Sequence, residues 1–329
     1  MIFQVLLFIL LVNPLTSFQT ERSETDILIG ESELYELHSN YWLNLHQFLY
    51  QQARQDQLPN IKGVGDEARI ESLSEEERNR FDQAIKYYEE NIIEHHLLFG
   101  LNDLRVFLQE QQFFSIDEHP FGEEYDPLFK HLNAFLPVYK ATFWPVHHKK
   151  NNEFLESNLD LLKDLETEVI PKLSLMAQAE WPEEKVRVDF SVYTNGVGAY
   201  TATRPEPNVV ISSADVTASG NYLLEILFHE SSHLLFTMQD PWRVKIYNRA
   251  EELDMEFPRN LWHASLFYLS GRTVQDALDA RGIEHEMYMV KNDVFSSYND
   301  EGFREALEAY YSADSTLGQT VDKLLGNIN

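Results

Sequence analysis

Residues 227–236 read LFHESSHLLF, and within this apolar run His229, Glu230 and His233 form the pattern H-E-x-x-H. On an α-helix, residues four apart lie one turn apart on one face, so the imidazoles of His229 and His233 can reach a single ion. Glu230 is turned by about 100° from His229, which puts its carboxylate beside such an ion, placed to take a proton from water rather than to ligate. The chain has no cysteine, so a metal must be held by His, Asp or Glu. Zn²⁺ in a catalytic site keeps three protein ligands and one open position, lowers the pKa of a water there to about 7 and polarises a carbonyl. That combination hydrolyses amides. The plainer alternative is a packed helix whose two histidines are satisfied by hydrogen bonds.

Two residues compete for the third ligand. Glu252, with Glu251 beside it, lies on the next expected helix where its spacing from His233 resembles the gluzincin pattern, which implies a glutamate ligand there, but it shares a face with Asn248, Arg249 and Glu256, as solvated charges do. His263, in LWHASLFYLSG, stands one turn before Leu266 and Phe267, so its imidazole is expected to be part-buried and to need a partner. Imidazole suits a His-rich zinc site. Further along the reaction, His147 could donate to a developing oxyanion if the Trp144-Pro145-Val146-His147-His148 segment lines a cleft rather than capping a helix. Tyr288, in EHEMYMV, is the rival for that role. Glu225, one turn before His229, either orients that imidazole or is simply solvated.

The elements that must position these groups follow from the patterning. Leu34, Leu37, Tyr41, Leu45, Phe48 and Leu49 recur at helical spacing, which predicts an amphipathic helix over 31–55. Ser74 followed by Glu75–Glu77 predicts a second helix towards Glu90, and further helices are expected near 92–112, 126–143 and 150–179. After Trp181-Pro182, the stretches VRVDFSVYT, GAYTAT and NVVISS are short and rich in β-branched and aromatic residues, which predicts three strands. The motif helix follows and stops at Asp240-Pro241, and helices are expected near 241–256, 258–280 and 301–325. The expected fold class is α+β and mainly helical, with a helical region over 30–180 packed on a catalytic region over 181–329.

Lys and Arg total 26 against 54 Asp and Glu, a formal net charge of -28, which argues against nucleic acid as a partner. The opening run Ile2–Val12, followed by Pro14 and small polar residues, reads as a signal peptide over 1–18. It falls short of a membrane span, so an exported protein with no stable membrane insertion after cleavage is expected, a retained membrane anchor being the alternative.

The H-E-x-x-H helix after a small sheet resembles the zincin metallopeptidases, in which an edge strand aligns an extended substrate; NVVISS would be that strand. The metzincin variant is excluded, since it requires Gly and His where this chain has Phe236 and Gln239. Over about 135–290 the chain also resembles exported bacterial proteins of unassigned activity. It does so through VYKATFWPVHHKKNNEFL, GAYTATRPEPNVVISS, LFHESSH and LWHASLFYLSG, where Trp144, Pro145, His147, Asn151, Tyr200, His229, Glu230, His233 and His263 match. This second resemblance implies His263 rather than Glu252 as third ligand. The expectation is an exported, zinc-dependent peptidase in which His229, His233 and His263 hold Zn²⁺ and Glu230 serves as acid and base on a peptide or protein substrate. A non-catalytic helical binding protein with a structural metal or none, and a zinc esterase or cell-wall amidase, are the alternatives.

Overall fold

The computed structural model describes residues 24–54, 64–95, 100–194, 198–237, 239–298 and 300–327; the expected signal segment 1–18 lies outside them. The first element is not the long helix expected over 31–55. Strands β1 (Asp26–Glu31) and β2 (Tyr35–Asn40) precede helix α1 (Tyr41–Ala53). In β2, Tyr35, Leu37 and Ser39 are buried while Glu36 is exposed, a period of two that the spacing of Leu34, Leu37 and Tyr41 concealed. Asn40 then caps α1, its side chain accepting from Leu43 N at 2.9 Å.

Helices α2 (Asp66–Glu71), α3 (Glu75–Asn91), α4 (Asn102–Gln109), α5 (Asp126–Thr142), α6 (Trp144–Glu156) and α7 (Leu159–Ala177) follow. Ser74 and Glu77 form a capping box at the start of α3, where the sequence placed a helix start. Trp144-Pro145 opens α6 instead of forming a cleft turn, because proline fits the first turn of a helix, where an N–H has no intrahelical partner. The expected helix over 150–179 is broken near Ser157, whose hydroxyl donates back to Glu153 O at 3.0 Å.

Strands β3 (Val186–Ser191), β4 (Ala199–Ala202) and β5 (Asn208–Ser212) complete one mixed sheet of five strands, not three, in the order β1-β2-β3-β5-β4. β2, β3 and β5 run parallel, and β1 and β4 are antiparallel edges. NVVISS is therefore interior, hydrogen-bonded to β3 and β4, and GAYTAT supplies the edge. The strands are legible in composition, but their lateral order is not.

One sheet face carries Tyr35, Leu37, Val186, Val188, Phe190, Val209 and Ile211 into a core shared with α7 and the later helices. These are α8 (Asn221–Ser232), α9 (Pro241–Glu252), α10 (Leu261–Asp279), α11 (Tyr288–Lys291), α12 (Glu301–Tyr311) and α13 (Leu317–Gly326). The opposite face is polar, for Arg187 pairs with Asp26 and Asp189, and Asn208 and Gln109 donate to Asp189 Oδ2 at 2.6 and 2.8 Å. A second, aromatic core, including Trp42, Phe48, Phe135, Tyr139 and Phe143, fills the helical first half. Among the described residues, no helix is long and apolar enough to cross a membrane.

Candidate metal centre

Helix α8 stops earlier than the sequence suggests. Ser231 Oγ donates to Leu227 O and Ser232 Oγ to His229 O, both at 2.7 Å, and these back-bonds weaken the helical ladder. His233 is consequently the C-cap, its N–H tightened onto Glu230 O at 3.1 Å. Helix α10 lies close enough to α8 that a Cβ at Gly271 would sit 2.5 Å from Glu225 Oε1. Glycine there permits the approach that brings His263, in the first turn of α10, to the motif.

His229, His233 and His263 each offer a ring nitrogen, and these atoms all lie within 4.8 Å of one another. Such a group could bind a metal ion. The Nε2 atoms of His229 and His263 are 3.2 Å apart. In a tetrahedral site with metal–nitrogen bonds of about 2.0–2.1 Å, neighbouring ligand nitrogens lie about 3.3–3.4 Å apart, so this edge already has the required length. Ser270 Oγ donates to Phe267 O at 3.0 Å and so can only accept from His229 Nδ1, at 3.4 Å. That leaves the His229 Nε2 lone pair facing His263.

Burial, with the mutual repulsion of the three imidazoles, pushes His229 well below the usual histidine range, and burial with the charges of His263 and Arg243 does the same to His233. Burial and Arg243 bring His263 down to about 4. All three are therefore neutral at pH 7, the state in which imidazole ligates. Aromatic rings wall the site: Phe267 lies 4.0 Å from His229, and Trp262 stacks 5.0 Å from His263 beneath the Arg243 guanidinium. Burial raises the Glu230 carboxyl to about 7, against a hydrogen bond from Thr201 that lowers it. Thr201, on β4, is a site residue that sequence reasoning missed; its only signal was its place in GAYTAT, alternating with Tyr200.

Other sequence-predicted residues are placed elsewhere. Glu252 is exposed at the end of α9, accepts from Arg249 at 2.8 Å and stands outside the histidine group. His147 is fully buried, with Nδ1 bonded to Tyr139 OH and Nε2 to Asp66 Oδ2, both at 2.9 Å. Neither ring nitrogen is left for an oxyanion. His148 and Asn151 bond Ser39, and Asn151 also bonds Ser213, so this segment brackets α6 to the sheet. Tyr288 OH donates to Thr217 Oγ1 at 2.7 Å, and its ring packs on Phe267, which lies against His229. Glu225 is neither solvated nor bonded to His229; it accepts from Tyr288 N and pairs with His285 Nε2 at 2.6 Å. Compared with family models, with curated proteins and with solved structures, the chain matches none.

Proposed function

We propose that the chain is a zinc-dependent hydrolase, most simply a peptidase, centred on His229, His233 and His263. The observation that carries this reading is the cluster of three imidazoles whose ring nitrogens lie within 4.8 Å of one another, with the carboxyl of Glu230 on the residue next to His229 held by Thr201. Three nitrogen donors, with no fourth protein ligand among the described residues, are the donor set of a catalytic rather than a structural zinc site. When bound, zinc supplies a Lewis acid that acidifies water and polarises a carbonyl. Glu230 would take the proton from the attacking water and deliver it to the leaving amine, the acid–base role open to a carboxyl beside the ligands. Trp262, Phe267 and the packed α8–α10 contact exclude bulk water, which strengthens each electrostatic interaction inside. In the same proposal residues 1–18 direct export and are removed; the mass of the secreted chain tests this.

Metal analysis of the purified chain, beside His233→Ala and His263→Ala, is the direct test. About one zinc per wild-type chain, lost in both variants, supports the site. The separation of 3.2 Å also fits a hydrogen bond between His263 and His229 in a metal-free, structural pair. Absence of bound metal after zinc dialysis would establish that second reading.

A further inference from the structure

We infer that Thr201 is the positioning residue for Glu230, its hydroxyl clasping both the side-chain carboxyl and the main-chain carbonyl of that residue from the edge of the sheet. This rests on the hydrolase reading above. Thr201 Oγ1 lies 2.7 Å from Glu230 Oε2 and 2.7 Å from Glu230 O. A glutamate side chain turns about three torsions, and contact from one atom to both ends of it selects one arrangement. Oε2 is thereby tied, while Oε1 accepts no hydrogen bond from the described residues and is the oxygen left for a water. The carbonyl of Glu230 already accepts the His233 N–H at 3.1 Å in the tightened last turn of α8, so the single hydroxyl proton of Thr201 is free to serve Oε2 while Oγ1 stays against that turn.

The strand that presents Thr201 is itself held on both sides. β4 pairs with β5 through Thr201↔Val209 and Tyr200↔Val210, and the period of two sends neighbouring side chains to opposite faces. Tyr200 goes to α1, where it packs with Leu43 and accepts from Gln47 Nε2 at 2.9 Å. Thr201 faces α8. The hydroxyl is thus located by a strand anchored in the first half of the chain and acts on a helix of the second.

The test combines a readout free of turnover with one that needs it. Thermal unfolding of zinc-loaded Thr201→Val, Glu230→Ala and the double variant should be non-additive, Thr201→Val lowering Tm less in the Glu230→Ala background, where only the main-chain carbonyl remains for the hydroxyl, than in the wild type. Additive losses would overturn the clasp. With an internally quenched peptide that the zinc-loaded wild type cleaves, Thr201→Val should keep its zinc and its KM and lose about 10–100-fold in kcat, and Thr201→Ser should recover most of it. Non-additive unfolding together with wild-type kcat in Thr201→Val would overturn the positioning role while leaving the hydrolase reading intact. A zinc-loaded wild type that cleaves no member of a peptide library would overturn the hydrolase reading, and the positioning role with it, whatever the unfolding cycle gave.

Discussion

The Nε2 atoms of His229 and His263 stand 3.2 Å apart although the two residues are 34 positions apart in the chain, one in the last turn of α8 and the other in the first turn of α10. Two imidazoles are held at ligand spacing by the packing of two helices around Gly271, so binding an ion requires little rearrangement of the main chain.

Zinc should therefore stabilise the fold. At free zinc a hundredfold above its dissociation constant, binding to the native state alone adds about 2.7 kcal/mol, visible as a rise in Tm that a chelator reverses. His263→Ala should abolish the rise and Glu252→Ala should keep it. A rise that survives in His263→Ala would place the third ligand elsewhere.

Glu230→Gln should bind zinc as the wild type does and lose at least about 100-fold in kcat, since an amide cannot shuttle the proton. Equal turnover would remove Glu230 from the chemistry.

His147→Ala should cost stability without touching the metal. Burial tends to raise Asp66, but the hydrogen bond and charge of His147, with Tyr193 and Arg69, hold it below the usual carboxylate range. Leaving the buried Asp66 carboxylate without this hydrogen-bond partner costs about 1–3 kcal/mol, read by urea unfolding. Zinc content and kcat per folded molecule should be unchanged; a selective fall in kcat would restore the oxyanion role expected from sequence.

Stability should fall as pH drops below neutrality. His46 is fully buried against Tyr88 OH at 2.8 Å, and burial lowers it from 6.5 to about 4. Because the unfolded chain takes up the proton first, stability is complete above pH 6.5 and is lost progressively towards pH 4, by roughly 3 kcal/mol for this group. A His46→Gln variant followed by denaturant unfolding from pH 7 to 4 should show a shallower slope than the wild type.

Gly271→Ala sets two effects against each other. Helix propensity favours alanine by about 1 kcal/mol, but the new methyl meets Glu225 Oε1 at 2.5 Å. That carboxylate cannot swing away, being bonded to His285 and to Tyr288 N. Overpacking of about 1–3 kcal/mol should prevail and lower Tm, with weaker zinc binding as α10 is displaced.

Local signals carried much of this into the sequence. The helix start at Ser74, the boundary at Asp240-Pro241 ahead of α9 and the H-E-x-x-H spacing depend on devices that act within a few residues, and each was legible. What escaped depends on lateral partners. Tyr35–Asn40 reads equally as helix or strand until β3 lies beside it, and whether NVVISS is edge or interior depends on what pairs with its far side. His147 and Tyr288 have suitable chemistry, yet Asp66 and Thr217, distant in sequence, occupy them. Thr201 was invisible for the same reason, since nothing local to GAYTAT announces Glu230.

The parallel pairing of β2 with β3 has a practical consequence for anyone dividing this chain. A fragment beginning near residue 181 would keep every histidine of the triad but strip β2 from the sheet, baring the Val186–Ser191 backbone as an unprotected template for strand addition. Such a fragment should self-associate rather than behave as a minimal enzyme, because the partner that passivates its edge is coded at the other end of the gene.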